Sequence, residues 1–172
     1  MKRISSNRPL TPGEVPWVTH ASEAFARQYI PGMDAVCISI TGPGGHPALS
    51  NNFDEVLRLE FDDVIKPPLG HPIDESDADK IAKFIIANRG KSFFIHCAAG
   101  ISRSSAVAVV ILEFFPEYED KGWEFTGHSQ IVRCPNVLVK RLLKRALRGQ
   151  MELTAGSGDW AIGKDRRSCE SQ

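Results

Sequence analysis

The chain has 172 residues, 42% of them hydrophobic and 24% charged, enough apolar material for one enzyme-sized domain with a sizeable core. Twenty-one basic residues balance twenty-one acidic ones, so there is no global field to attract nucleic acid or a membrane surface. No apolar run approaches the ~20 residues that span a bilayer, and the basic start Met1-Lys2-Arg3 precedes no apolar segment of the secretory kind.

In chain order, Trp17-Val18-Thr19 is predicted as a first short strand, Ser22 to Tyr29 as a helix capped by Ser22, and Ala35 to Ile40 as a core strand. Gly42 to Pro47 is a turn by composition; it lacks the Gly-Lys-Ser/Thr ending of a nucleotide loop. Val56 to Phe61 alternates apolar and charged residues as a half-buried strand does, and Asp62-Asp63 stands where it should end. Pro67, Pro68, Gly70 and Pro72 make an irregular segment that either covers a pocket or simply connects. A helix capped by Ser76 or Asp77 carries Ile81, Phe84 and Ile85 and ends at Asn88-Arg89-Gly90. Ser92 to Ile95 reads as a buried strand and Ser104 to Phe115 as an apolar helix closed by Pro116. The stretch from Glu117 to Gln130 resists assignment, with Trp123 and Phe125 expected to pin it to the core. A last helix starts at Pro135-Asn136-Val137-Leu138. Its basic residues Lys140, Arg141, Lys144, Arg145 and Arg148 make either a solvated face or a site for an anionic partner. Residues 1–150 are therefore expected to form one domain, and 151–172, charged and glycine-containing with Trp160 and Ile162 docking locally, a flexible tail. Strands separated by helices predict an α/β fold with a central, mainly parallel sheet covered on both sides.

The four cysteines, at 37, 97, 134 and 169, form no close pair and accompany no histidine cluster. That argues against a disulfide framework and a zinc site and fits a reducing, cytoplasmic compartment, with no cofactor expected. Cys37 lies in an apolar run and is expected in the core. His20, His46, His71 and His128 are scattered and are assigned only surface or loop positions.

The most informative segment is His96-Cys97-Ala98-Ala99-Gly100-Ile101-Ser102-Arg103-Ser104, between a predicted strand and a predicted helix. First-turn N–H groups there lack intrahelical partners and face a positive dipole end, so an oxyanion is stabilised. The same field favours thiolate over thiol at Cys97. Arg103 can hold two phosphoryl oxygens with its planar fork while the backbone of Ala98, Ala99, Gly100, Ile101, Ser102 and Arg103 holds others.

This His-Cys-x-x-Gly-x-x-Arg-Ser pattern resembles the signature loop of the cysteine-based protein tyrosine phosphatases, and Gly-Ile-Ser-Arg-Ser points to their compact dual-specificity branch, of bacterial or phage type. The resemblance extends from Val56 to Phe115 and to the helix from Pro135 to Leu147, and it implies the tyrosine-phosphatase (dual-specificity) fold. It implies that Cys97 attacks phosphorus, Arg103 binds the phosphoryl oxygens, Ser104 assists departure of the thiolate and His96 supports the loop from behind. It further implies a general acid just after the strand, matched to Asp63 with Asp62 as the alternative; the plain reading is that both solvate a loop.

The expected activity is metal-independent phosphomonoester hydrolysis through a phosphocysteine, first on phosphotyrosine and also on phosphoserine or phosphothreonine in proteins. Ala98, Ala99 and Ile101 stand where related lipid phosphatases carry lysines, which disfavours inositol phosphates; RNA 5′-phosphate stays open. Two other classes remain: a phosphate-binding module without turnover, and sulfur transfer or arsenate reduction. The expected partner is a phosphorylated protein or peptide, with no membrane, nucleic acid disfavoured and oligomeric state open.

Overall fold

A strand buried at every position requires cover on both faces, and the segments Ala35–Thr41 and Ser92–Cys97 have it. The computed structural model describes residues 14–32, 34–45, 47–50, 52–66, 68–122 and 133–156. Five strands, β1 (Trp17–Ser22), β2 (Ala35–Thr41), β3 (Glu55–Glu60), β4 (Ser92–Cys97) and β5 (Glu119–Asp120), form one sheet in the order β3-β2-β4-β1-β5. Every pairing is parallel. The fold is the expected α/β sheet flanked by helices, with β4 at its centre.

Along β4 the period of two sorts the side chains. Phe93, Ile95 and Cys97 join a large core beneath α2 (Glu75–Ala87), α3 (Arg103–Phe114) and α4 (Val137–Gly156). Phe94 faces the other way, stacked on Tyr29 with ring centroids 4.5 Å apart and flanked by Phe25 and Phe53. Among the described residues that second face is covered by the one-turn helix α1 (Glu23–Ala26) and loops, so aromatic rings supply the bulk that helices supply opposite. β3, at the sheet edge, keeps the alternation read from its sequence, with Leu59 buried and Glu60 exposed.

Caps move two of the expected boundaries. The helix expected at Ser76 or Asp77 begins earlier: Asp74, in extended backbone, accepts a hydrogen bond from the Asp77 N–H at 2.8 Å. Buried Ile73 and Ala78 bracket that turn as a hydrophobic staple. Ser22 caps as expected, its Oγ accepting from the Phe25 N–H, but that helix ends at Ala26 rather than Tyr29. α4 is capped by Asn136, whose Oδ1 accepts from the N–H groups of Leu138 and Val139 at 3.0 and 3.2 Å, and it runs to Gly156, past residue 150. Expectations for Met1 to Arg3, His46, Pro67, Trp123, Phe125, His128, Trp160, Ile162 and Cys169 fall outside the described residues. No described helix is long and apolar enough to cross a membrane.

Candidate active site

A parallel α/β sheet offers its ligand crevice at the carboxyl ends of the strands, and β4 ends at Cys97, 2% exposed. The chain then turns through residues 98–102 into α3. Gly100 makes the turn possible: it has φ 75°, and a Cβ on it would lie 2.5 Å from Ala21 C and Ser22 N on β1. Its N–H donates to Cys97 Sγ at 3.3 Å, and Ser104 Oγ lies 3.1 Å from the same sulfur.

Four of the loop's carbonyls have partners on its outer side. Ala98 O accepts from the Glu23 N–H at 3.2 Å, and Ile101 O from the Cys134 N–H at 3.1 Å and the Ser105 hydroxyl. Ser102 O accepts from the N–H groups of Ala106 and Asn136 at 3.0 and 3.2 Å, and Gly100 O from His20 Nδ1 at 2.7 Å. In a planar trans peptide the N–H points opposite to the preceding C=O. The N–H groups of Ala99, Ile101, Ser102 and Arg103 are thereby turned away from these outer partners, as an anion cradle requires. Ser102 starts α3 without a side-chain cap bond, which leaves the helix's first N–H groups unserved by it.

The Ser102 hydroxyl goes instead to Asp63, donating to Oδ1 at 2.7 Å, and Asn136 Nδ2 donates to the same oxygen at 2.8 Å. Asp63 is exposed at the loop's edge. Asp62 is engaged elsewhere: its Oδ2 accepts from the His71 N–H at 2.8 Å and its own N–H donates to His71 O, closing the loop that follows β3. Two neighbouring acids that the sequence could not separate thus occupy different places, one against the cysteine loop and one inside its own. Arg103 is 7% exposed; its Nη1 donates to Phe61 O at 2.6 Å, while buried Nε has no partner among the described residues. Such a donor costs free energy until an acceptor reaches it.

His96 is fully buried behind the loop, with Nε2 2.8 Å from Ser39 Oγ on β2, and burial lowers its pKa to about 4. His20 corrects the sequence reading. Expected on the surface or a loop, it is 1% exposed on β1, between Gly100 O and Arg133, whose Nε–H donates to His20 Nε2 at 2.9 Å. Burial, then the positive charge of Arg133, holds the His20 pKa below its usual value against the opposing pull of Gly100 and Asp120. Arg133 pairs bidentately with Asp120 at 2.6 and 2.8 Å. Burial alone would raise the Asp120 pKa, but hydrogen bonds from Arg133 and the Gly122 N–H outweigh it and hold the carboxyl below its ordinary value. Nothing in sequence spacing joins positions 20, 120 and 133. Asn136, likewise unassigned as a site residue, carried one signal: Asn is a strong cap at a predicted helix start.

Other residues lie apart. Cys37 is in the core, its thiol pushed up to about 12 chiefly by burial. On the basic helix face, Lys140 and Lys144 pair with Glu113 of α3 and Arg145 with Glu75 of α2. Among the described residues no group of three or more His, Cys, Asp or Glu side chains could hold a metal ion.

No family model matches the chain, and no curated protein matches it by sequence. Among solved structures it is similar to the human tyrosine phosphatase-like serine/threonine/tyrosine-interacting protein, with a TM-score of 0.43 and 18% identity over 69% of this chain and 78% of that one.

Proposed function

We propose that this chain hydrolyses phosphomonoesters through a phosphocysteine. The observation that carries this reading is the loop itself: Cys97 Sγ lies inside a turn whose carbonyls are tied outward, beside an arginine with a buried donor still unserved. A tetrahedral oxyanion supplies acceptors for both the loop N–H groups and Arg103.

In the first step Cys97 Sγ forms a bond to phosphorus as the ester P–O bond breaks, and Asp63 gives the departing oxygen its proton. Because Ser102 and Asn136 both donate to Asp63 Oδ1, that oxygen is an acceptor and the proton rides on Oδ2. In the second step water attacks phosphorus, Asp63 takes its proton, and the S–P bond breaks to return the thiolate. The Ser104 hydroxyl, 3.1 Å from the sulfur, then donates to it. His96 supports the strand end through Ser39. Exposed Ala98, Ala99 and Ile101 give the rim apolar rather than cationic surface, which suits an aryl phosphate such as phosphotyrosine in a protein or peptide.

The test is hydrolysis of p-nitrophenyl phosphate in EDTA by the wild type, Cys97→Ser and Asp63→Ala. Loss of turnover in Cys97→Ser and trapping of a phosphocysteine on acid quenching of the wild type are expected. A folded wild type that binds phosphotyrosine peptide without turnover would replace the enzyme with a binding module, and thiosulfate-dependent thiocyanate formation would replace phosphoryl with sulfur transfer.

A further inference from the structure

Three groups outside the reacting set form a hydrogen-bonded chain that ends on one peptide of the loop. Gly100 O can only accept, so His20 Nδ1 carries the hydrogen of that 2.7 Å bond and Nε2 is the bare nitrogen. Nε2 is met at 2.9 Å by the Arg133 Nε–H, which agrees with that tautomer. Arg133 is held in turn by both oxygens of Asp120. Gly122 lies against it: a Cβ there would come within 2.7 Å of Arg133 Nη2.

We propose that His20 is a positioning residue for phosphate binding: held as the Nδ1–H tautomer by Arg133 and Asp120, it fixes the Gly100–Ile101 peptide so that the Ile101 N–H faces the bound anion. This rests on the phosphatase reading of Cys97 and Arg103, and it adds a requirement that the reading alone does not contain. The other outward carbonyls are held by backbone N–H groups or by hydroxyls of the loop's own helix. Gly100 O is held by a distant side chain instead. Glycine's conformational freedom makes this peptide the one most able to rotate when its partner is lost. If it flips, its carbonyl oxygen rather than an N–H faces the phosphoryl group, replacing attraction with repulsion.

Three substitutions separate the two contacts of the ring. In His20→Asn the amide nitrogen takes the place of Nδ1 and can still donate to Gly100 O. In His20→Gln the amide reaches the place of Nε2 and serves Arg133 alone. His20→Leu serves neither. The readout is alkylation of Cys97 by iodoacetamide at pH 6, with the protection constant for inorganic phosphate, beside KM and kcat for p-nitrophenyl phosphate. We expect KM and the phosphate constant to rise ~10-fold in His20→Leu and His20→Gln, as loss of one oriented donor to an anion implies, with the alkylation rate falling. His20→Asn should lie near the wild type. Faster alkylation in His20→Leu would mean a merely loosened core exposing the thiol, and equal behaviour of Asn and Gln would mean that the bond to Gly100 is irrelevant; either overturns the proposal. If His20→Leu does not fold, the Asn and Gln pair still decides. A wild type that neither binds phosphate nor hydrolyses ester would sink the phosphatase reading and the phosphate-binding role with it, while the alkylation order of the variants would still show whether His20 holds the Gly100–Ile101 peptide.

Discussion

The two flanks of the 97–103 loop are built from opposite materials. On the Asp63 flank an exposed carboxylate is held by neutral donors, Ser102 and Asn136. On the His20 flank a buried ring is held by a charged pair, Arg133 and Asp120. The proposed acid stays near water, where a change of charge costs little. The proposed positioning residue can be buried, because its hydrogen bonds to Gly100 O and Arg133 fix one tautomer.

The sharpest way to break this comparison is to exchange the roles of the two aspartates. Asp63→Asn should lower kcat for p-nitrophenyl phosphate by ~10²–10⁴-fold, the range for a positioned acid. Asp62→Ala should instead cost about 0.5–1.5 kcal/mol of stability by removing the acceptor of the His71 N–H, seen as a lower urea midpoint with kcat retained. Equal losses of kcat in the two variants would erase the distinction.

A pH titration of stability probes the buried side. His96 has a folded pKa of about 4 against an ordinary 6.5, so the unfolded chain binds more protons between these values and stability rises with pH there. The contribution is complete above about pH 6.5 and is lost as pH falls towards 4. It amounts to about 3 kcal/mol by linkage. His20, also depressed, acts with the same sign. Urea midpoints from pH 4 to 7 should therefore climb, and His96→Asn should flatten the slope.

Asn136 joins the exposed flank to α4, since Oδ1 caps the helix while Nδ2 holds Asp63. Asn136→Ala should cost about 0.5–2 kcal/mol as a lost cap and also lower kcat. Asn136→Ser should keep the cap and lose the reach to Asp63, so its melting temperature should recover while kcat does not. The smallest effect belongs to the periphery. Lys144→Ala removes a half-exposed pair with Glu113 and should change stability by less than about 1 kcal/mol, with no change in kcat.

The fold was legible because its signals are local. The apolar run at Ser92–Cys97, the alternation in Glu55–Glu60 and the closing Pro116 each act within a few residues, and the parallel sheet follows from their order. α1 ended early because packing on Phe94, rather than helix propensity, sets the length of so short an element. β5 gave no apolar pattern because two residues at a sheet edge need none; only pairing with Trp17 and Val18 makes Glu119–Asp120 a strand.

At the site the same division holds. By itself the sequence determined the contiguous set, Cys97 through Ser104, because a strand, a tight glycine turn and a helix start bring those residues together without help from elsewhere. It narrowed the proposed acid to two neighbours. Only the tertiary structure separated Asp62 from Asp63, gave Asn136 its second partner, and took His20 from an unassigned histidine to the back of the loop. Each of these depends on contacts between residues 39 to 113 positions apart. Hydrogen bonds of that kind are created by packing the sheet and helices together, and no periodicity along the chain records them.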